Sequence, residues 1–131
     1  MRTPSGESAS LAGTRILVVE DDYFVANEIA SVLRDHGAQV LGPVPDAARS
    51  RELSADSLPQ CVLLDINLKG KLAFELAEEF IGRGVPAIFT TGYDASFLPP
   101  TLRGVTCLQK PIETHDLIRA VRDAVDGGAH S

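Results

Sequence analysis

Residues 15–22 read Arg15-Ile16-Leu17-Val18-Val19-Glu20-Asp21-Asp22. The aliphatic run is too short for a helix and rich in β-branched side chains, so it reads as a strand buried on both faces. Three acids stand at its carboxyl end. The rest of the chain alternates around it. Val25, Ile29, Val32 and Leu33 share one helix face, and Gly37 stops that helix. Ala38–Val44 reads as a second strand, weakened by Gly42 and Pro43. Asp46–Ala55 is a short helix opened by a capping Asp. Cys61–Leu64 is a third strand, Ala87–Thr90 a fourth entered through Pro86, and Val105–Gln109 a fifth. Ala73, Leu76, Ala77, Phe80 and Ile81 form one helical stripe, and Leu117, Ile118, Val121, Ala124 and Val125 another. Before the fifth strand, Pro99-Pro100 ends or prevents a helix. Strands alternating with helices predict an α/β fold with a parallel sheet covered on both faces.

The length, 131 residues, suits one domain of roughly 100–200 residues. Residues 1–13 and 127–131, rich in Ser and Gly, are expected to be flexible tails around a folded unit at 14–126. Twelve basic against eighteen acidic residues give a formal charge of −6. With no basic run, direct nucleic-acid binding is not expected. No aliphatic run is long enough to span a bilayer, and a leader is not expected from the opening residues. The expectation is a cytoplasmic protein with reduced cysteines.

In an open parallel sheet, ligands bind beyond the carboxyl ends of the strands. Here those ends carry Glu20-Asp21-Asp22, Asp65, Thr90-Thr91-Gly92 and Lys110-Pro111. Taken singly, each has an ordinary reading: helix-cap acids, a loop acid, turn hydroxyls, a solvated lysine. Together they describe a site. Clustered carboxylates repel unless a cation joins them, and hard oxygen donors suit Mg²⁺. No Cys or His stands at these ends to favour zinc. A divalent ion beside a lysine holds an anion rich in charged oxygens, such as a phosphoryl group. Asp65 is then the candidate nucleophile, able to form an aspartyl phosphate.

Four segments, ILVVEDD (16–22), VLLDINL (62–68), PAIFTTGY (86–93) and LQKP (108–111), resemble the receiver domain of bacterial two-component response regulators. The resemblance covers about residues 14–126. It implies a flavodoxin-like sheet of five parallel strands in order 2-1-3-4-5 with about five helices. That implied order would set Cys61 and Cys107 two strand spacings apart, about 9–10 Å, too far for a disulfide, and they read as buried hydrophobes. Asp65 would be the phospho-acceptor. Asp21 would bind Mg²⁺ or Mn²⁺ directly, Glu20 through water, and Asn67 through its backbone carbonyl. Thr91 would be the switch hydroxyl and Lys110 the partner of the phosphoryl oxygens. The Lys110–Pro111 bond is often cis in this family, giving Pro111 a structural role. The partners implied are a histidine kinase or histidine phosphotransfer protein and a downstream protein.

Three features depart from the family pattern. Cys107 stands where many members carry a switch aromatic; Tyr93 is a possible substitute, since F-T-T-G-Y resembles a subgroup with an F-A-T-G-Y signature. That subgroup points by analogy to alphaproteobacterial stress signalling. The segment after Asn67, Leu68-Lys69-Gly70-Lys71, lacks the usual Pro, and the stretch to Pro86 is short. Pro99-Pro100 disturbs the fourth helix.

The chain ends soon after its last helix, so the expected function is a stand-alone, phosphorylation-dependent regulator and not a multiple-turnover enzyme. A phosphate sink and a receiver that does not bind metal are the nearest alternatives. A phosphatase of the haloacid dehalogenase type would need a second Asp where Asn67 stands. A flavodoxin-type flavin binder would suffer repulsion from Glu20-Asp21-Asp22.

Overall fold

The computed structural model describes residues 10–92 and 98–128. The main sheet contains β1 (Arg15–Val19), β2 (Gln39–Val44), β3 (Cys61–Asp65), β6 (Ala87–Thr91) and β7 (Thr106–Gln109). Its order is β2-β1-β3-β6-β7 and every pairing is parallel. This is the 2-1-3-4-5 order expected, once a separate two-stranded hairpin, β4 (Asn67–Leu68) and β5 (Lys71–Leu72), is set aside. The helices are α1 (Tyr23–Asp35), α2 (Ala47–Ser54), α3 (Phe74–Gly82) and α4 (Thr114–Gly128). Between β6 and β7 the described residues hold a single 3₁₀ turn at Pro100–Leu102, opened by Pro99. None of these helices is long and apolar enough to cross a membrane.

Period-two alternation in β1 feeds two cores. Ile16 and Val18 pack with Ile29 and Leu33 of α1 and with Leu117 and Val121 of α4. Leu17 and Val19 pack on the other face with Leu76 and Phe80 of α3. Burying each such side chain contributes about 1.5–3 kcal/mol, and this doubly covered strand anchors the fold. The thiols divide between the layers: Cys61 packs into the first core and half-buried Cys107 against the second. Cys107 is thus less enclosed than its sequence suggests, because β7 is an edge strand with one neighbour. Burial pushes the Cys61 thiol up to about 12.

The weak second strand is rescued by a bulge. Leu17 pairs with Leu41 but Val19 with Val44, leaving one extra residue on β2. Gly42 occupies the bulge at φ +84, where a Cβ would lie 2.8 Å from the Val44 amide nitrogen. Pairing then resumes, and the Glu20 N–H donates to the Val44 carbonyl at 2.9 Å.

Three expectations need correction. The folded part begins before residue 14: Leu11 is 2% exposed, sits in the core with Ile29 and Leu33, and donates its N–H to the His36 carbonyl at 2.8 Å. At the other end, α4 takes in Gly127 and Gly128. Within the α3 stripe, Ile81 is exposed, since Leu76, Ala77 and Phe80 already fill the face toward the sheet.

Leu11→Ala should therefore destabilise the protein by about 2–5 kcal/mol, the usual cost of emptying a buried leucine site, in urea-induced unfolding. A change below about 0.5 kcal/mol, typical of surface positions, would return Leu11 to the tail.

Candidate functional site

The sheet register brings the site together. Val19 pairs with Leu64, so Glu20 stands level with Asp65 on the adjacent strand. Asp65 pairs with Thr90 and Thr91 with Gln109, which sets Lys110 just beyond the next strand end. Glu20, Asp21, Asp65, Asn67, Gly92 and Lys110 line one open cleft of about 650 Å³.

Lys110 is the central cation. Its Nζ donates to Asp65 Oδ2 at 2.9 Å and lies 2.9 Å from Glu20 Oε1. The second contact is an ion pair, and Glu20 Oε1 is buried and makes no hydrogen bond. Burial lowers the affinity of Lys110 for its proton, but the two carboxylates outweigh it and the pKa is raised. The Lys110 N–H donates to the Thr91 carbonyl at 2.7 Å, and the Lys110–Pro111 peptide is cis.

The acids divide their work. Asp22 caps α1, its Oδ1 accepting from the Phe24 and Val25 amides at 3.0 and 3.2 Å. Glu20 Oε2 accepts from the Asp22 N–H at 3.0 Å, and Asp65 Oδ1 from the Asn67 N–H at 3.0 Å. Asp21 Oδ2 accepts from the Lys69 N–H at 2.9 Å. Glu20, Asp21 and Asp65 each offer a carboxylate oxygen within 4.8 Å of the others.

This donor set fits a hard divalent cation. It is all oxygen, each acid offers an oxygen within 4.8 Å of the others, and Glu20 is only 3% exposed. Burial, more than any neighbour, pushes the Glu20 carboxyl up to about 7. Asp65 adds to that rise, while Lys110 and the Asp22 amide oppose it.

Thr91 is buried at the end of β6, and from this strand's end it is Gly92 that lines the cleft. Cys107 pairs with Phe89 one strand over, toward the α3 side of the sheet. Tyr93 lies outside the described residues. Two contributors escaped the sequence reading: the Lys69 N–H, and the Asn67 side chain, whose Oδ1 accepts from the Gly70 N–H at 2.8 Å. Backbone donors leave no mark in residue type, and Lys69-Gly70 is not a common hairpin dipeptide.

The folded Glu20 holds its proton to higher pH than the unfolded chain, whose glutamate titrates at the ordinary 4.5. Its contribution to stability is therefore full below 4.5 and fades as pH rises toward about 7. A cation competes with that proton. Mg²⁺ at ten times its dissociation constant should stabilise by about 1.4 kcal/mol, with a larger rise in melting temperature at pH 8 than at pH 6. Glu20→Gln should flatten this difference. Equal gains at both pH values in the wild type would contradict the assignment.

A family model described as the response regulator receiver domain matches residues 16–122. The chain is 25% identical over 129 residues to the transcriptional regulatory protein PdtaR of Mycobacterium tuberculosis, covering 95% of this chain and 63% of that protein. It is 30% identical over 122 residues to the sensory transduction protein RegX3 of Mycolicibacterium smegmatis, covering 88% of this chain and 52% of that protein. The chain thus spans between half and two thirds of these relatives' lengths. Among solved structures, a response regulator receiver protein from Burkholderia phymatum superposes with a TM-score of 0.75 at 26% identity, covering 86% of this chain and 95% of that one. The N-terminal domain of a response regulator/sensory box/GGDEF protein from Carboxydothermus hydrogenoformans gives 0.76 at 25% identity, with 89% and 98% covered. The chain belongs to the response regulator receiver domain family.

Proposed function

We propose that this domain accepts a phosphoryl group on Asp65 from a histidine kinase or a histidine phosphotransfer protein and transmits the signal through a surface that changes on phosphorylation. The observation that carries the reading is Lys110 Nζ held 2.9 Å from Asp65 Oδ2, with Glu20 and Asp21 gathered in the same cluster. In the transfer, an Asp65 oxygen attacks phosphorus while the bond from phosphorus to the donor imidazole nitrogen breaks. The imidazole leaves with the bonding pair and the product is an acyl phosphate. Asp65 is only 6% exposed, so the charge brought in by the phosphoryl oxygens needs compensation. Lys110 is placed to give it, moving from the carboxylate to a phosphoryl oxygen. Bound by Glu20, Asp21, Asp65 and the Asn67 carbonyl, Mg²⁺ would supply further charge neutralisation.

The subgroup reading belongs to the same proposal. F-T-T-G-Y occupies residues 89–93, and its Phe89 is buried against Phe74 with ring centroids 6.0 Å apart. Thr91 is assigned the switch hydroxyl and Tyr93 the role that an aromatic at position 107 would otherwise take.

Incubation with a small phosphodonor and Mg²⁺ should add one phosphoryl group to the wild type, read by intact mass and lost on brief alkaline treatment. Asp65→Asn should take up none. Lys110→Ala should slow labelling by about 10²-fold or more, the scale seen when one electrostatic stabiliser is removed. An unlabelled wild type, or equal labelling of Asp65→Asn, would overturn the reading.

A further inference from the structure

The hairpin β4–β5 follows the acceptor directly, and its position is set by two polar contacts. Its strands have two residues each, a length that is marginal alone. Its turn, Lys69-Gly70, has φ +53 and +84, the pattern of a tight hairpin turn that normally takes Asn-Gly. A lysine in the left-handed region is disfavoured, so something else must hold the turn. On one side the Gly70 N–H donates to Asn67 Oδ1 at 2.8 Å. On the other the Lys69 N–H donates to Asp21 Oδ2 at 2.9 Å, across 48 positions of sequence. The residues under the turn are fixed as well: Leu68 is in the core, and the Ala73 N–H donates to the Ile66 carbonyl at 2.7 Å.

We infer that the Asn67–Gly70 turn is a positioning device for the cation site: the Asn67 side chain holds the turn through the Gly70 N–H, and the turn in turn fixes the Asp21 carboxylate through the Lys69 N–H. This rests on the cation reading of Glu20, Asp21 and Asp65. It assigns Asn67 two jobs, its carbonyl toward the metal and its side chain toward Gly70. Asn67 and Gly70 are positioning residues, acting through Asp21. Orienting partners of metal ligands are commonly worth about 10–100-fold in metal affinity.

Glycine at position 70 offers a clean test, because an added Cβ there meets no atom within 4 Å. Gly70→Ala disturbs only backbone conformation, and Gly70→Asn restores a residue tolerant of positive φ. Calorimetric titration with Mg²⁺ alone, on the full chain, should show affinity about ten-fold weaker in Asn67→Ala and Gly70→Ala. Gly70→Asn should return to within about three-fold of the wild type. The Lys69 amide resonance should move on Mg²⁺ addition in the wild type and lose that response in Asn67→Ala. Should Asn67→Ala fail to fold, the Gly70 pair carries the test. If the wild type binds Mg²⁺ and the folded variants bind equally well, the positioning role is wrong and the cation site stands. If the wild type binds no Mg²⁺, the site reading itself fails, and this inference with it.

Discussion

One ammonium between two buried carboxylates organises this molecule's functional edge. Lys110 Nζ lies 2.9 Å from both Glu20 Oε1 and Asp65 Oδ2, and both acids are almost fully enclosed. Two such carboxylates on neighbouring strands repel, and burial penalises each charge further. Without the lysine the pair would have to shed a charge by binding a proton. The sheet order makes the arrangement demanding, since three strand spacings, about 14 Å, separate the axes of β1 and β7. Lys110 spans the gap from a backbone tied to β6 through the Thr91 carbonyl.

That lysine only partly offsets the burial. Glu20 keeps a raised pKa beside it, and one Glu20 oxygen has no hydrogen bond. The site therefore favours more positive charge than the protein itself supplies. The same imbalance makes it receptive to a divalent cation and, once the cation is present, to an incoming anion. Fold and chemistry meet in the backbone donors: the amides of Asp22, Asn67 and Lys69 each hold one carboxylate oxygen, so the acids are oriented before any ligand arrives.

Much of this was legible in the chain. A short β-branched run ending in acids implies a doubly covered parallel strand, and parallel topology gathers strand ends at one edge. Glu20, Asp21, Asp65 and Lys110 follow from that logic. The rest depends on information that residue type does not carry. Leu11 is a single apolar residue in a Ser- and Gly-rich segment, and periodicity cannot mark one residue. The β4–β5 hairpin is built on a lysine in an unfavourable conformation, stabilised by a partner 48 positions away. Asp22 looks equivalent to its acidic neighbours, yet it caps α1; only the point where the strand stops and the helix begins tells them apart.

A double-mutant cycle in unfolding free energy at neutral pH without divalent ions, pairing Lys110→Met with Glu20→Gln, measures the central interaction most directly. Lys110→Met alone should be strongly destabilising, because it leaves two buried carboxylates facing each other. Adding Glu20→Gln should recover part of that loss, with a coupling energy of at least about 1 kcal/mol. Additivity within about 0.3 kcal/mol, the behaviour of independent sites, would show that the lysine does not hold the carboxylates together.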